Sequence, residues 1–354
     1  MKFAKLPHQD HADLLDDLET MAMDAYDLLM RGLVKDLTKV AKKQKLAKSD
    51  DLPRGWNGEV PRIEVDFNSI FQRTIQKYLD ALRWTIMGDA AGKEATQAAI
   101  SLGVRDVTLP GVAPAAYLDA IDTQAEYVAK LTGKSGAQLD KELVGKTLDK
   151  MLETNDRFTD ESLLKLQNRL LSAAEMAAQR HNAANTALVH EEAHAGIADG
   201  ESKKDALAAA AKLAPDRLAA IDLTRDLKKA VETHRTDWTR LISTDVALAS
   251  GTGTHQVMQE VYGAKDDTVM VAWVAMRDEK ACDWCGPTSR RADGSFKLYR
   301  MDEFLPTGSN YGRKRKEWTL CIPPAHPNCR CSLVYLPPGF EITKDGDVRV
   351  RGKK

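Results

Sequence analysis

Two short stretches near the C-terminal end decide how this part of the chain folds: CDWCGP at residues 282–287 and HPNCRC at residues 326–331. The Cys-x-x-Cys spacing lets a tight turn direct two thiolates at one tetrahedral metal ion, and Gly286-Pro287 supplies the turn chemistry. In the second stretch an imidazole and a thiolate lie three residues apart, and a further thiol follows. Two paired ligand sets separated by an excursion of about forty residues are the plan of a zinc ribbon or knuckle.

The donor set predicts zinc, because four sulfur and nitrogen ligands without an open position describe a closed structural site. The predicted ligands are Cys282, Cys285, His326 and Cys329, with Cys331 as the alternative fourth ligand. Cys321 belongs to neither close pair and is interpreted as the spare thiol. Free thiols, or a disulfide between the two stretches, are the alternative interpretation. A thioredoxin-like role is disfavoured, because no helix opening directly after a strand is predicted at the Cys-x-x-Cys pair.

Composition bounds the class of protein. The chain has 354 residues, with 43% hydrophobic and 29% charged residues and a formal net charge of -1. Near-neutral charge argues against bulk electrostatic capture of nucleic acid. The sequence shows neither a signal peptide nor an apolar run of about 20 residues, so an intracellular protein without a membrane span is predicted. All five cysteines lie between residues 282 and 331, and an odd number there disfavours a disulfide framework.

Helical periodicity dominates the first 262 residues, and abundant alanine and leucine favour helix over sheet. The predicted helices cover residues 12–48, 66–102, 115–132, 136–153, 159–198, 202–213, 215–232 and 234–262. Strands are predicted at 268–276, where the sequence alternates and is rich in β-branched residues, and at 332–336. The fold class that follows is mainly α: an elongated helical N-terminal body, then a small α+β module that contains the zinc site.

Three features in one order resemble a known family. A helix holds Arg240 and the run Ser243-Thr244-Asp245, a strand with Trp273 follows, and the Cys-x-x-Cys pair and PPAHPNCRC (residues 323–331) come last. This order resembles the phage head morphogenesis domain of the Mu F-like minor head proteins. The family tends to carry Arg-Thr-Glu where this chain has Ser243-Thr244-Asp245. The predicted segments are therefore a helical N-terminal region at 1–198, a Mu F-like domain at 199–337 and a polar tail at 338–354.

The resemblance implies a non-enzymatic virion component. Such a minor head protein is expected in the head interior or at the portal vertex, after assembly in the host cytoplasm. Its expected partners are the portal protein, which residues 1–198 are suspected to contact, other head proteins, and phage DNA during packaging or ejection. No membrane and no small-molecule substrate are expected.

Other motifs give competing hypotheses. His190, Glu191 and His194 match the H-E-x-x-H pattern of a zinc-dependent hydrolase, although no third ligand follows at a usual spacing. The run GTGT at residues 251–254 lacks the lysine of a phosphate-binding loop and is interpreted as a helix interruption. A zinc-ribbon nucleic-acid binder unrelated to capsids is the remaining alternative. For DNA contact, the basic run Arg313, Lys314, Arg315 and Lys316, which precedes Trp318, is the candidate segment.

Overall fold

The computed structural model describes residues 8–43, 67–104, 111–132, 141–217, 223–263, 268–275, 282–326, 329 and 331–352. Within these ranges, no helix combines the length and the apolar character that a membrane crossing requires. Part of the first predicted helix (44–48) and all of the loop that the sequence places before residue 66 lie outside the described residues.

Helices account for most of the described chain, which confirms the prediction of a mainly α protein. They are α1 His8–Lys43, α2 Gln72–Met87, α3 Lys93–Ser101, α4 Val112–Thr132, α5 Lys141–Ala198, α6 Lys203–Arg217, α7 Thr224–Tyr262 and the short α8 Cys285–Ser289.

The predicted helix at 66–102 is divided in the structure. A π turn at Phe67–Phe71 precedes α2, and a short 3-10 segment at Gly88–Ala91 separates α2 from α3. Gly88 has φ 60° and Gly92 has φ 94°, a region that glycine enters without steric cost. The sequence periodicity continues across this break, so it did not reveal the two glycine turns.

The predicted boundary between residues 153 and 159 is wrong, because α5 runs unbroken for 58 residues. Residues 153–159 contain no glycine or proline. Arg83 on α2 contacts the Asp160 carboxylate at 3.2 Å and also pairs with Asp156, while Asn155 is fully buried. These tertiary interactions outweigh the modest intrinsic cost of Asn and Asp in a helix.

The prediction that Pro215 opens a helix is also wrong. The alanine-rich sequence of α6 continues through Pro215 to Arg217, and α7 begins at Thr224. From there α7 is a single helix through Gly251 and Gly253, so the predicted interruption at GTGT does not occur.

The two glycines of that run allow backbones to approach α7 closely. A Cβ atom at Gly251 would lie 2.4 Å from the Pro323 carbonyl oxygen, and one at Gly253 would lie 2.6 Å from the Tyr117 carbonyl oxygen. Both distances are below any real contact of a side-chain carbon. The glycines therefore serve close packing, since no other residue type fits without displacing a backbone.

The chain divides into two compact units. One consists of Met1–Tyr26, Asp80–Glu161 and Asp237–Lys354, and the other of Asp27–Leu79 and Ser162–Thr236. Neither coincides with a segment predicted from the sequence, and the domain limits given there stay a prediction.

The first unit contains the β structure. Strands β1 Met270–Val274, β2 Leu298–Arg300 and β3 Ser332–Leu336 form an antiparallel sheet of order β2-β1-β3, and β3 matches its predicted range. Residues of the predicted polar tail form a hairpin of β4 Phe340–Ile342 and β5 Val348–Val350. Val348 on this hairpin is buried against the sheet, which the polar composition of the tail concealed.

The two faces of this sheet line two clusters of buried side chains. Val271 and Trp273 of β1 face a core that includes Met258 of α7, whereas Ala272 faces the core that includes Val348. This alternation is the period of two expected of a strand that is buried on both faces. Cys285 and Cys329 belong to the first core, so these two predicted metal ligands lie on the side of the sheet with the larger cluster of buried residues.

Candidate metal centre

The first half-site is a turn that leads into α8. The backbone amide of Cys285 donates a hydrogen bond to Cys282 Sγ at 3.4 Å, and the amide of Gly286 donates to the Cys282 carbonyl oxygen at 3.2 Å. The turn thus holds the two sulfurs near each other, as the Cys-x-x-Cys spacing predicts.

The second half-site approaches the first through His326. Its Nε2 lies 3.1 Å from Cys282 Sγ and 3.3 Å from Cys285 Sγ. The amide of Cys329 donates to the His326 carbonyl oxygen at 3.0 Å, which closes a tight turn between imidazole and thiol. Cys329 Sγ lies 4.0 Å from Cys285 Sγ.

Strand pairing explains why residues 44 positions apart in the sequence meet. β1 and β3 are antiparallel, and Val274 at the end of β1 pairs with Ser332 at the start of β3. The chain that leaves β1 leads to Cys282, and the chain that enters β3 comes from Cys329. Both half-sites therefore lie at the same end of this strand pair.

The donor geometry fits a tetrahedral zinc ion. Metal distances of about 2.3 Å to sulfur and about 2.0 Å to nitrogen imply separations of roughly 3.8 Å between sulfurs and roughly 3.5 Å between sulfur and nitrogen. The separation of 4.0 Å between two thiol sulfurs is close to this value, and the sulfur–nitrogen distances of 3.1 and 3.3 Å are slightly short. The donor atoms of Cys282, Cys285 and His326 all lie within 4.8 Å of one another, so they could hold a metal ion.

A second group of donors overlaps the first. Cys285, Cys329 and Cys331 also lie with their sulfurs within 4.8 Å of one another. Cys285 is common to both groups, which together contain five sulfur and nitrogen donors. Cys329 belongs to the second group and not to the first, so the predicted set of four ligands stays a prediction, as does the choice between Cys329 and Cys331.

Cys321 lies in neither group. It is completely buried, and the side-chain amide of Asn310 donates a hydrogen bond to its sulfur at 3.4 Å. Burial, with a smaller contribution from the nearby Cys329, raises the pKa of Cys321 to about 12. Its position agrees with the interpretation of Cys321 as the spare thiol.

The electrostatics of the cluster favour a bound cation. Hydrogen bonds from the thiols of Cys285 and Cys331 hold the pKa of Cys329 well below its ordinary value. The pKa of Cys285 is raised, first by its hydrogen bond with Cys329 and also by burial. Without a metal, one buried thiolate therefore suppresses the ionisation of its neighbour, whereas a dication would allow several thiolates to coexist.

Aromatic side chains pack around the site. The Trp318 ring is stacked on the His326 imidazole, with centroids 5.2 Å apart and planes 11° from parallel. Trp284 meets Trp318 edge to face at 5.9 Å and Trp273 at 5.5 Å. The basic run had suggested a DNA-contacting role for Trp318, and its contact with His326 was not predicted. The tryptophans at positions 284 and 318, close in sequence to predicted ligands, were a signal for it.

The basic run is exposed but not uniform. Arg313, Lys314 and Lys316 are exposed, whereas Arg315 forms an ion pair with Asp283 at 3.1 Å, between the two cysteines of the first half-site. Trp318 donates its indole N–H to the Arg313 carbonyl oxygen at 3.1 Å, which ties the run to the aromatic cluster. The charged groups of Arg313, Lys314 and Lys316 thus lie on the surface, and of the four predicted DNA-contacting side chains Arg315 is the one paired with Asp283.

The helix motif of the predicted family contains a buried acid. On α7, the Thr244 hydroxyl donates to the Arg240 carbonyl oxygen at 2.7 Å. Asp245 is completely buried, and within the described part of the chain neither carboxylate oxygen accepts a hydrogen bond. Burial raises the pKa of Asp245 well above its ordinary value.

The H-E-x-x-H motif lies on α5, and its three functional side chains, His190, Glu191 and His194, are all exposed. The buried residues of this turn are Val189 and Ala193, which pack with Ala206 and Ala210 of α6. Among the described residues, no group of three donors that could hold a metal includes His190 or His194. The motif therefore faces outward from a small apolar contact between helices.

The comparison with family models identifies the region that contains the centre. The model described as Phage Mu protein F like protein matches residues 187–334 of the chain. This range covers α7, the three-stranded sheet except the end of β3, and both half-sites, and it confirms the resemblance predicted from the sequence. No curated protein and no solved structure matches the chain.

Proposed function

We propose that this phage head protein is a non-enzymatic minor head protein with a structural zinc site. The premise is that residues 187–334 match the model of the Phage Mu protein F like family. The family supports a component of the phage head and a place in the virion. The zinc ion, the portal contact and the role in DNA packaging or ejection belong to the proposal.

The observation that carries the zinc proposal is that the donor atoms of Cys282, Cys285 and His326 lie within 4.8 Å of one another at one end of the β1–β3 pair, with Cys329 Sγ 4.0 Å from Cys285 Sγ. When bound, the ion supplies four directed bonds between the two half-sites. Residues 287–325 form the excursion between these half-sites and contain little regular secondary structure. Long helices and a wide sheet are thus missing from this described segment, so cross-linking its ends is an effective way to stabilise it.

The fit is that of a structural site. Cys285 and Cys329 are each 2% exposed, and the Trp318 ring covers the His326 imidazole. A catalytic zinc keeps one position open for water or substrate. Here the two overlapping groups together offer four thiols and one imidazole, and a tetrahedral ion takes four ligands.

Metal analysis of the purified chain tests the zinc proposal. One zinc per chain is expected, lost in Cys282→Ser and retained in the matched control Cys321→Ser, which changes a buried thiol outside both donor groups. A metal-free wild-type chain, or equal zinc in both variants, would contradict the proposed ligand set.

The virion role has a separate test. Purified phage particles are expected to contain the chain, and isolated portal complexes are expected to retain it. Substitutions at exposed positions within residues 1–198, the predicted partner-binding region, test the portal contact; deletion would remove parts of both compact units. Particles or portal complexes that lack the full-length chain would contradict the placement, whatever the metal analysis shows.

DNA contact is proposed for the exposed side chains of Arg313, Lys314 and Lys316. Replacing each of them with alanine should weaken DNA binding equally for different sequences and lower the salt dependence by about one unit of slope per lost phosphate contact. Arg315→Ala is the control, because this arginine is already paired with Asp283. An unchanged slope in the triple variant would exclude this segment.

A further inference from the structure

The two overlapping groups of donors together contain five donors, one more than a tetrahedral ion accepts. Cys282 and His326 occur only in the first group, and Cys329 and Cys331 only in the second. Cys285 is the one donor that the two groups share. If Cys329 is the fourth ligand, Cys331 is left as a thiol within 4.8 Å of Cys285.

Exposure distinguishes the thiols. Cys285 and Cys329 are buried, whereas Cys282 and Cys331 are half-buried. The Cys282 sulfur is engaged in the first half-site, where the Cys285 amide donates to it and His326 Nε2 lies 3.1 Å away. Cys331 directly precedes β3 and combines access to solvent with proximity to the shared ligand.

We propose that Cys331 is a peroxide-reactive thiol: a hydroperoxide oxidises it to a sulfenic acid, and Cys285 then attacks its sulfur to form a disulfide that expels the metal ion. This inference rests on the proposed zinc site, with Cys329 as its fourth ligand. It adds an oxidation-sensitive reaction to a centre that the proposed function treats only as a structural clamp.

The reaction has two balanced steps. The Cys331 sulfur attacks one oxygen of hydrogen peroxide, the O–O bond breaks, and a sulfenic acid and one water are formed. The Cys285 sulfur then attacks the sulfenic sulfur; the S–S bond forms, the S–O bond breaks, and the hydroxyl leaves as water after taking up a proton. Cys285 has lost its bond to the ion, and peroxide is the two-electron oxidant of the overall change.

The product still joins the two half-sites. Cys285 follows β1 and Cys331 precedes β3, so a disulfide between them would connect the same elements that the ion connects. Host cytoplasm is reducing, and the environment of a released particle is oxidising. The centre could therefore keep its cross-link in both environments, through metal in the first and a covalent bond in the second.

Peptide mapping after peroxide treatment of the zinc-loaded full-length chain tests the proposal. Trypsin cleaves after Arg330 and so separates Cys329 from Cys331, while Cys282 and Cys285 stay together on residues 281–290. The expected first cross-link joins residues 281–290 to 331–344 and forms as zinc appears in a colorimetric chelator. A first cross-link within 281–290, or from 281–290 to 317–330, would overturn the proposal.

A variant distinguishes a peroxide-reactive thiol from a metal ligand. Cys331→Ser is expected to bind zinc like the wild-type chain and to retain it at the peroxide dose that empties the wild-type site. Cys321→Ser is the control and should release zinc as the wild-type chain does. A Cys331→Ser chain that lacks zinc before peroxide is added, or that loses it as fast as wild type, would overturn the inference.

The same experiment keeps this inference apart from the proposed function. A wild-type chain that contains no zinc defeats the structural-zinc proposal, and with it the expulsion of the ion. The peptide map of that metal-free chain still decides whether Cys331 or another thiol captures Cys285.

Discussion

Two histidine-bearing regions of this molecule lead to opposite conclusions about metal binding. At residues 282–331 the donors come from two short stretches that are far apart in the sequence, and the structure brings them into two overlapping groups of three whose sulfur and nitrogen atoms lie within 4.8 Å of one another. On α5, His190 and His194 stand four residues apart in a contiguous H-E-x-x-H pattern, and both side chains are exposed. The distributed pattern forms a cluster, whereas the contiguous one leaves its histidines on the surface.

Burial accounts for the difference. Around His326, aromatic rings and the sheet pack against the donors, so that metal coordination is a favourable way to satisfy the buried thiols of Cys285 and Cys329. In the turn that contains His190 and His194, the buried residues are Val189 and Ala193, and the imidazoles are exposed to solvent. A motif therefore indicates a metal site only when its side chains converge.

The largest expected effect follows from removing the shared ligand. Cys285→Ser should abolish zinc binding and unfold the region around the half-sites, with a loss of more than about 3 kcal/mol in the free energy of unfolding, because structural metal binding is coupled to folding. Near-ultraviolet circular dichroism reports this directly, since Trp273, Trp284 and Trp318 pack around the centre. Cys321→Ser should keep both the metal and the spectrum; a native spectrum in Cys285→Ser would contradict the proposed clamp.

A smaller loss of stability is expected from a substitution where α7 contacts the loop that leads to His326. Gly251→Ala places a Cβ atom 2.4 Å from the Pro323 carbonyl oxygen and should destabilise the protein by about 2 kcal/mol through overpacking. Gly145→Ala is the matched control, because a Cβ atom at this helical glycine meets nothing within 4 Å. Thermal unfolding should show that the control gains up to about 1 kcal/mol. Equal stability of the two variants would show that the close approach at Gly251 does not matter.

The buried Asp245 should make the free energy of unfolding depend on pH. The expected change is about 1 kcal/mol or more, the scale of an unsatisfied buried polar group. Because burial raises the pKa of this acid in the folded state, the native protein holds the proton more tightly than the unfolded chain. Stability from this group is present at low pH and is lost as pH rises above about 4, the ordinary value for aspartic acid.

Asp245→Asn should therefore be more stable than the wild-type chain at pH 7, and the difference should shrink as pH falls toward 4. Denaturant unfolding at several pH values measures it. Asp17→Asn, at an exposed acid on α1, is the control. A variant that is less stable than the wild-type chain at pH 7 would indicate that the Asp245 carboxylate has a partner which stabilises its charge.

The smallest effect is expected on the exposed face of α5. His190→Ala and His194→Ala should leave zinc content unchanged and should change the free energy of unfolding by less than about 0.5 kcal/mol, as is usual for exposed positions. Elemental analysis and thermal unfolding are the measurements. Loss of zinc in either variant would reverse the contrast between the two histidine-bearing regions.

The sequence predicted the helical class, strand β3 and the converging half-sites, because each depends on a local signal: helical periodicity, β-branched alternation, or paired ligand spacing. It failed where tertiary contacts decided the outcome. The buried Asn155 and the Arg83 ion pairs carry α5 through an apparent boundary, and Gly251 is required by a backbone from another part of the chain. These contacts leave no periodic trace in the sequence.

For the candidate metal centre, too, local spacing was informative and tertiary contacts were not predictable. The approach of the two half-sites was predictable from spacing, and the family model over residues 187–334 agrees with the motif order. The stacking of Trp318 on His326 and the proximity of Cys331 to Cys285 were not, because both depend on how the excursion returns to the sheet. The sequence placed Trp318 with the basic run, whereas its ring covers a predicted ligand.

Zinc-edge X-ray absorption spectroscopy of the purified full-length chain tests the central claim most directly. The account predicts one zinc with three sulfur ligands at about 2.3 Å and one nitrogen ligand at about 2.0 Å. A first shell of nitrogen and oxygen without sulfur, or a chain that binds no zinc, would contradict it.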